Sequence, residues 1–174
     1  YPADTYWQYS NLGLTLAGEI VATVSGRTYT DYVTEKILEP LGLDNTRPYF
    51  PNDLHGTQLA IGHSARDRNG DREVVPCFDT KAITPAAGFT SSVRDLASFA
   101  AWQFRLLGGG CSEVLSASTL REMHRVHWID PDWRTSWGLG FTAERSGNST
   151  LVGHGGACPG YLTDLVLDPK NKLA

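Results

Sequence analysis

Residues 137–167, WGLGFTAERSGNSTLVGHGGACPGYLTDLVL, contain three apolar runs separated by turn residues. The runs lie at residues 137–143, 150–154 and 161–167. Ser146-Gly147-Asn148 is a typical turn sequence, so the runs predict consecutive antiparallel strands. Asp168-Pro169-Lys170-Asn171 predicts another turn, and the chain reaches Ala174 just where the next strand would begin. We therefore expect the fold to be truncated at this end.

Helical periodicity is strongest near the start of the chain. Residues 10–26 form the clearest predicted helix, because apolar residues recur at every fourth position: Leu12, Leu16, Ile20 and Val24. Such a stripe is typical of a helix that packs on a core. Ser10 or Asn11 can cap the start of this helix. A second helix is predicted over residues 30–38, ending before Pro40 because proline disfavours helix at the residue that precedes it.

The middle of the chain predicts a hairpin and two further helices. Asn69-Gly70 lies between two short runs and indicates a hairpin turn. Ser92-Val93-Arg94-Asp95 resembles a capping box and predicts a helix with one apolar face: Val93, Leu96, Ala97, Ala100, Phe104 and Leu107. Ser116 is expected to cap another helix, through Met123. Helices early and antiparallel strands late predict an α+β fold with helices packed against one sheet.

Length and composition narrow the classes of function. The chain has 174 residues, 41% of them hydrophobic, so a single domain over residues 1–174 is expected. The net charge is -4 and basic residues are scattered, which argues against nucleic acid or an anionic membrane as a partner. No apolar run approaches the roughly 18 residues that span a bilayer. The three cysteines have wide, unrelated spacings and indicate neither a metal site nor a redox pair: Cys77, Cys111 and Cys158.

Three short motifs carry residues that could do chemistry. Tyr9-Ser10-Asn11 opens the first helix, although alone it also fits a core tyrosine beside a capping asparagine. Gly153-His154-Gly155-Gly156-Ala157 stands at the end of a predicted strand, where glycines let a ligand approach backbone N–H groups closely. An ordinary glycine-rich junction between strand and loop is the alternative. Residues 84–92, TPAAGFTSS, form a loop of small residues whose default interpretation is structural.

Together and in this order, the motifs resemble the serine β-lactamase and penicillin-binding-protein family, including class C β-lactamases and related esterases and DD-peptidases. Trp7-Gln8-Tyr9-Ser10-Asn11-Leu12-Gly13 is similar to the family's Tyr-x-Asn motif. Residues 37–43, residues 87–92 and Trp137-Gly138-Leu139-Gly140-Phe141 resemble further family segments. Gly153-His154-Gly155-Gly156 stands where the family has Lys-Thr-Gly or His-x-Gly. The resemblance implies the β-lactamase/DD-peptidase fold, with helices packed against an antiparallel sheet.

The resemblance also implies roles for five residues. Tyr9 would exchange protons with a nucleophilic serine and with the leaving group, and His154 would lie beside it. Asn11 would hydrogen-bond the acyl part of the substrate. The backbone N–H of Ala157, next to Gly156, would be one donor of an oxyanion hole. The implied reaction is hydrolysis of a small-molecule substrate through an acyl-serine intermediate, with no metal and no cofactor. The compartment and the oligomeric state stay open.

The family's nucleophile motif, Ser-x-x-Lys, does not occur in this sequence. No lysine has a serine three residues before it: Lys36, Lys81, Lys170 and Lys172. The lysine matters because a phenol loses its proton only well above neutral pH unless a cation lies close to it. Either the motif lies upstream, in a missing N-terminal portion of the same protein, or the chain is a degenerate, non-catalytic binding module. The first alternative is favoured and implies a partial domain without its nucleophile segment and final strands, inactive by itself.

His154 also bears on the substrate class. A lysine there would be cationic at neutral pH and could anchor a carboxylate, whereas a histidine is only partly protonated. The sequence therefore favours an ester or another uncharged, small acyl substrate, with a β-lactamase or a D-amino-acid peptidase as alternatives. His124 and His127 have no third ligand in their pattern and are expected at the surface or at a helix end. Residues 127–137, HWIDPDWRTSW, either pack over the sheet or line the substrate pocket.

Overall fold

The computed structural model describes Pro2, Thr5 and residues 7–174. The helices come first: α1 (Asn11–Ser25), α2 (Tyr29–Val33), α3 (Glu39–Leu41), α4 (Thr84–Ala87), α5 (Val93–Leu107) and α6 (Ala117–His124). A π-helical turn, Thr34–Leu38, joins α2 to α3. Short 3-10 turns lie at Asn52–Leu54 and Lys81–Ile83. The strands follow: β1 (Trp128–Ile129), β2 (Ser136–Trp137), β3 (Thr142–Ser146), β4 (Ser149–Cys158) and β5 (Tyr161–Leu167).

The five strands form one antiparallel sheet in the order β1-β2-β3-β4-β5. β3 pairs with residues 149–153 of β4, whereas β5 pairs with residues 152–158. α5 covers the sheet through a core cluster of four buried residues: Ala100, Ala143, Val152 and Leu167. Burying side chains of this kind stabilises the fold by about 25 cal/mol for each Å² of apolar surface removed from water. The predicted α+β fold, with helices packed against an antiparallel sheet, is confirmed.

Two strand predictions were wrong in their boundaries. Residues 137–143 are not one strand, because Gly138 N–H donates to the carbonyl of Phe141 at 2.8 Å and closes a turn. Gly140 has φ +78 in this turn, a backbone conformation that favours glycine. The glycines around His154 do not stand at a junction between strand and loop. They lie inside β4, because β5 pairs with it as far as Cys158.

The first predicted helix is confirmed, but the predicted stripe is not its buried face. Ser10 caps α1, and its Oγ accepts a hydrogen bond from Gly13 N–H at 3.0 Å. The stripe residues are between 55% and 82% exposed: Leu12, Leu16, Ile20 and Val24. The buried positions of α1 are Thr15 and Gly18. Close packing on α4 explains this face, since a Cβ on Gly18 would collide with the ring of Pro85.

The second helical segment runs further than predicted. α2, the π-helical turn and α3 follow one another without a break, so helix continues past Pro40 to Leu41. Pro40 lies just after the π-helical turn, where the regular i→i−4 bonding that a proline disrupts is already interrupted. Gly42, at φ +64, ends the helix. The segment is anchored by a second core cluster, Val33, Leu38 and Leu43.

α5 begins after Ser92 as predicted, but its buried side is rotated from the predicted one. The carboxylate of Asp95 accepts hydrogen bonds from the backbone N–H of Asn45 at 2.9 Å and from the Thr46 hydroxyl at 2.8 Å. These bonds turn the Asp95 side of the helix inward, so that Val93 is 85% exposed. The buried residues of α5 are Asp95, Ala100, Trp102, Gln103 and Leu106.

The other two local predictions hold. Ser116 caps α6, and its Oγ accepts a hydrogen bond from Thr119 N–H at 3.1 Å. The chain pairs across the Asn69-Gly70 turn, where His63 and Val74 form a single antiparallel bridge rather than full strands. Among the described residues, every helix is too short or too polar to cross a membrane.

Candidate active site

Tyr9 lies in the extended segment that leads into α1. Ser10 caps the N-terminus of α1 and has an extended backbone. The residues before it therefore do not continue the helix. The Tyr9 ring is 5.7 Å from that of Trp137 at the end of β2, and 47% of Tyr9 is exposed. Trp7 stacks on the same indole, with ring centroids 4.5 Å apart. Aromatic contacts therefore hold the segment before α1 against the sheet.

His154 lies on β4 and faces Tyr9. Their ring centroids are 6.1 Å apart, and the His154 ring is 6.4 Å from that of Trp137. The Nδ1 atom of His154 lies 2.6 Å from the carbonyl oxygen of Gly155 and donates a hydrogen bond to it. A neutral imidazole that donates from Nδ1 presents Nε2 as an acceptor. The phenol and the imidazole thus share one face of the molecule, with Nε2 available to a third group.

The oxyanion-hole candidates lie further along β4. Gly156 and Ala157 are exposed and pair with Thr163 and Leu162 of β5. Backbone N–H and C=O groups alternate between the two sides of a strand. The carbonyl of Gly153 accepts a hydrogen bond from the Thr142 hydroxyl of β3 at 2.9 Å, so it faces β3. In a regular strand the N–H of Ala157, four residues after Gly153, faces the same side as that carbonyl. The pairing with β3 ends at Gly153, so β3 does not pair with Ala157.

Asn11, the predicted acyl-binding residue, is the first residue of α1. It is exposed, and its backbone carbonyl accepts a hydrogen bond from the Thr15 hydroxyl at 2.9 Å. Ser10 caps the helix, so the Asn11 side chain is not needed for that purpose. Asn11 therefore lies at the same end of α1 as Tyr9, two residues further along the chain.

The tryptophan-rich segment both joins the sheet and lines a cleft. β1 and β2 extend the sheet beyond β3, so the segment is part of its architecture. The turn between these strands then meets the Tyr9 segment at a cleft of about 370 Å³, a size typical of small-ligand sites. The lining residues are Trp7, Gln8, Tyr9, Asp130, Pro131 and Asp132. The segment therefore forms the edge of the sheet instead of packing over it, and its role in lining a substrate pocket stays a prediction.

Sequence reasoning missed Asp130 and Trp137 as parts of this site. Asp130 Oδ1 accepts a hydrogen bond from Trp137 Nε1 at 2.8 Å. The backbone N–H of Asp130 donates to Thr135 O at 2.9 Å, so the carboxylate is fixed on a tight turn. The only available signal was the unusual mixture of tryptophan and aspartate in a loop, which predicts no particular partner.

The remaining titratable groups of interest lie elsewhere. His124 is the last residue of α6, at a helix end as predicted; it is half-buried, and its Nε2 lies 2.9 Å from Gln103 Oε1. Burial lowers the pKa of His124, because the charged form loses its hydration. His127 is exposed and contacts Glu122. Among the described residues, no three His, Cys, Asp or Glu side chains are grouped so that they could hold a metal ion.

Comparison with known proteins gives one family. A family model described as Beta-lactamase matches residues 1–174. The octameric penicillin-binding protein homologue from Pyrococcus abyssi superimposes with a TM-score of 0.82 at 26% identity, over 96% of this chain and 37% of that one. A D-stereospecific amidohydrolase from Streptomyces sp. gives a TM-score of 0.77 at 25% identity, over 99% of this chain and 49% of that one.

Two curated proteins are similar to this chain in sequence. Unguisins hydrolase ungD' of Aspergillus campestris is 28% identical over an alignment of 174 positions, which covers 97% of this chain and 32% of that protein. Beta-lactamase-like protein 2 of Dictyostelium discoideum is 29% identical over 168 residues. This match covers 95% of this chain and 29% of that protein. The chain thus spans about a third of the length of the curated relatives it matches.

Proposed function

The chain belongs to the Beta-lactamase family, and we propose that it is part of a serine hydrolase that works through an acyl-serine intermediate. The observation that carries this proposal is the placement of Tyr9 beside His154, with their ring centroids 6.1 Å apart. Relatives described as an unguisins hydrolase and as a D-stereospecific amidohydrolase support hydrolytic chemistry.

Tyr9 is proposed to carry the proton. In the first step a serine oxygen attacks the substrate carbonyl, and the serine proton passes to the oxygen of Tyr9, which has to be a phenolate at that point, as a nearby cation would make it. Tyr9 then gives that proton to the leaving group as the bond to the carbonyl carbon breaks. In the second step water attacks the acyl-serine carbonyl and gives a proton to the Tyr9 phenolate, and the serine oxygen takes that proton as it leaves, which restores the free serine. Positioned proton transfer of this kind typically contributes 10²–10⁴-fold in rate, roughly 3–5 kcal/mol.

The nucleophile is proposed to lie in another part of the same polypeptide. None of the four lysines of this chain follows a serine by three residues, and the chain spans about a third of its curated relatives. Residues 1–174 are then one partial domain, whose nucleophile segment and final strands lie outside this sequence. His154, Asn11 and the N–H of Ala157, next to Gly156, are proposed to assist Tyr9: the imidazole beside the phenol, the amide on the acyl group, and the N–H on the developing oxyanion.

The substrate is proposed to be a small ester or amide. A histidine at position 154 does not supply the permanent cation that would anchor a carboxylate. The cleft of about 370 Å³ lies at the small end of the range of ligand sites, which is consistent with a small acyl group. A β-lactam or a peptide that ends in a carboxylate is expected to be turned over more slowly than a simple ester.

The experiment is ester hydrolysis by the full-length protein that contains this sequence. Wild type is expected to release p-nitrophenol from p-nitrophenyl acetate and butyrate. Tyr9→Phe keeps the ring contacts but loses the hydroxyl, so kcat should fall at least ~100-fold. Tyr49→Phe is the matched control, because Tyr49 is 45% exposed against 47% for Tyr9, and it should retain turnover. Binding without turnover in wild type would instead indicate a non-catalytic binding module.

A further inference from the structure

An aromatic wall and two carboxylates meet beside Tyr9. Trp7 and Trp137 are stacked 4.5 Å apart, and Tyr9 is tilted against Trp137 at 5.7 Å. Asp130 and Asp132 line the same cleft from the turn between β1 and β2. Indole and phenol faces attract cations, and carboxylates accept charge-assisted hydrogen bonds from them. Together these groups have the chemistry that recognises an alkylammonium ion.

Asp130 is the better placed of the two carboxylates. It is half-buried, and its bonds to Trp137 Nε1 at 2.8 Å and to Thr135 O at 2.9 Å fix its orientation. Partial burial weakens the screening of its charge by water and salt. Asp132 is exposed, and Arg134 Nε lies 3.6 Å from its Oδ2, so its charge is partly compensated.

We propose that Asp130 makes this site selective for acyl substrates that carry a cationic amino group, such as amides and esters of unblocked amino acids. The proposal rests on the proposed function, since the ammonium group has to meet Asp130 while the carbonyl carbon meets the nucleophile near Tyr9. The six described residues that line the cleft include no lysine or arginine that would compete for the carboxylate. Asp130 is a specificity-determining residue and takes no proton in the reaction.

The test compares charged and neutral forms of one substrate on the full-length protein. The substrates are D- and L-alanine p-nitroanilide and their N-acetyl derivatives, in which acetylation removes the positive charge. Selectivity is the ratio of kcat/KM for the unblocked substrate to kcat/KM for the acetylated one. Wild type should favour the unblocked form of the enantiomer it accepts. Asp130→Asn keeps an oxygen that can accept from Trp137 Nε1 but loses the charge, and should lower this ratio at least ~10-fold.

Two further variants make the result specific. Asp130→Glu keeps the charge on a longer side chain, so its ratio should lie above that of Asp130→Asn. Asp71→Asn removes an exposed carboxylate beside the Asn69-Gly70 turn and should leave the ratio unchanged. An unchanged ratio in Asp130→Asn, with both substrates slowed equally, would mean that Asp130 only positions Trp137, and would overturn the proposal. Failure of the proposed function looks different: Tyr9→Phe would then keep full turnover of every substrate.

Discussion

The ring of Tyr9 lies 6.1 Å from the imidazole of His154, with 32° between their planes. The two residues come from opposite ends of the chain, and separate elements bring them together. Tyr9 is held before the cap of α1 by its contact with Trp137, and His154 stands on β4 just beyond the last residue that pairs with β3. The Trp137 ring lies near both of them, with its centroid 5.7 Å from that of Tyr9 and 6.4 Å from that of His154.

Replacing His154 by lysine should widen the substrate range. A lysine adds a permanent cation next to Tyr9, so a carboxylate-bearing substrate gains an ion pair that the histidine supplies only in part. We expect His154→Lys to lower KM for nitrocefin at least ~5-fold, measured by absorbance on the full-length protein. His63→Lys, which adds the same charge at an exposed histidine elsewhere in the chain, is the control. Equal KM values in wild type and His154→Lys would remove position 154 from carboxylate recognition.

Gly153 should not tolerate a side chain, whereas Gly155 should. A Cβ at position 153 would collide with the backbone carbonyl of Leu165 on β5, which cannot move away without breaking the pairing. A Cβ at position 155 would meet Thr163 O at an ordinary 3.6 Å. Overpacking of this kind costs about 1–3 kcal/mol. We expect Gly153→Ala to lower the free energy of unfolding by about 2 kcal/mol and Gly155→Ala by less than about 1 kcal/mol, in urea titrations. Similar losses in both would show that the strand adapts.

Asp95 should make the stability of the protein pH-dependent in acid. Burial raises the pKa of its carboxyl, but hydrogen bonds from Thr46, Asn45 and Ser92 outweigh burial and hold the pKa below the ordinary 3.8. The unfolded state therefore binds this proton more tightly, so the stabilisation is complete above about pH 3.8 and is lost as the pH falls through the folded pKa.

The variant Asp95→Asn isolates this contribution. It keeps the shape of the side chain but not its charge, and should cost about 1–3 kcal/mol at neutral pH because charged hydrogen bonds are lost. Urea titrations of both proteins should converge as the pH falls below about 3.8, the ordinary value. A difference that stays constant down to pH ~2 would mean that the Asp95 charge is not what stabilises the start of α5.

The sequence predicted elements whose signal is local. β5 coincides with the predicted strand 161–167, and the helix caps at Ser10, Ser92 and Ser116 are as expected, because capping depends on neighbouring backbone groups. The buried face of α1 was not predictable from its apolar stripe, since it depends on the close approach of Pro85 to Gly18. Long-range contacts of this type leave no local signature.

The residues of the candidate site also divide into those that the sequence predicted and those that it did not. Tyr9 and His154 were named from motifs, and the structure brings their rings together. Asp130 was not named, because its place beside Tyr9 depends on the turn between β1 and β2 and on the hydrogen bond to Trp137. In the sequence, nothing distinguishes Asp130 from other charged residues in turns. Its place at the cleft follows only from the pairing of β1 with β2.

The most direct measurement is a double-mutant cycle of Tyr9→Phe and His154→Gln, read from the acylation burst of p-nitrophenyl acetate on the full-length protein. If the two side chains act on one transferred proton, each single change should slow acylation at least ~10-fold. The double variant should then be hardly slower than the worse single one, which is a coupling of about 1.4 kcal/mol or more. Effects that multiply, so that the coupling is zero, would contradict a shared site for Tyr9 and His154.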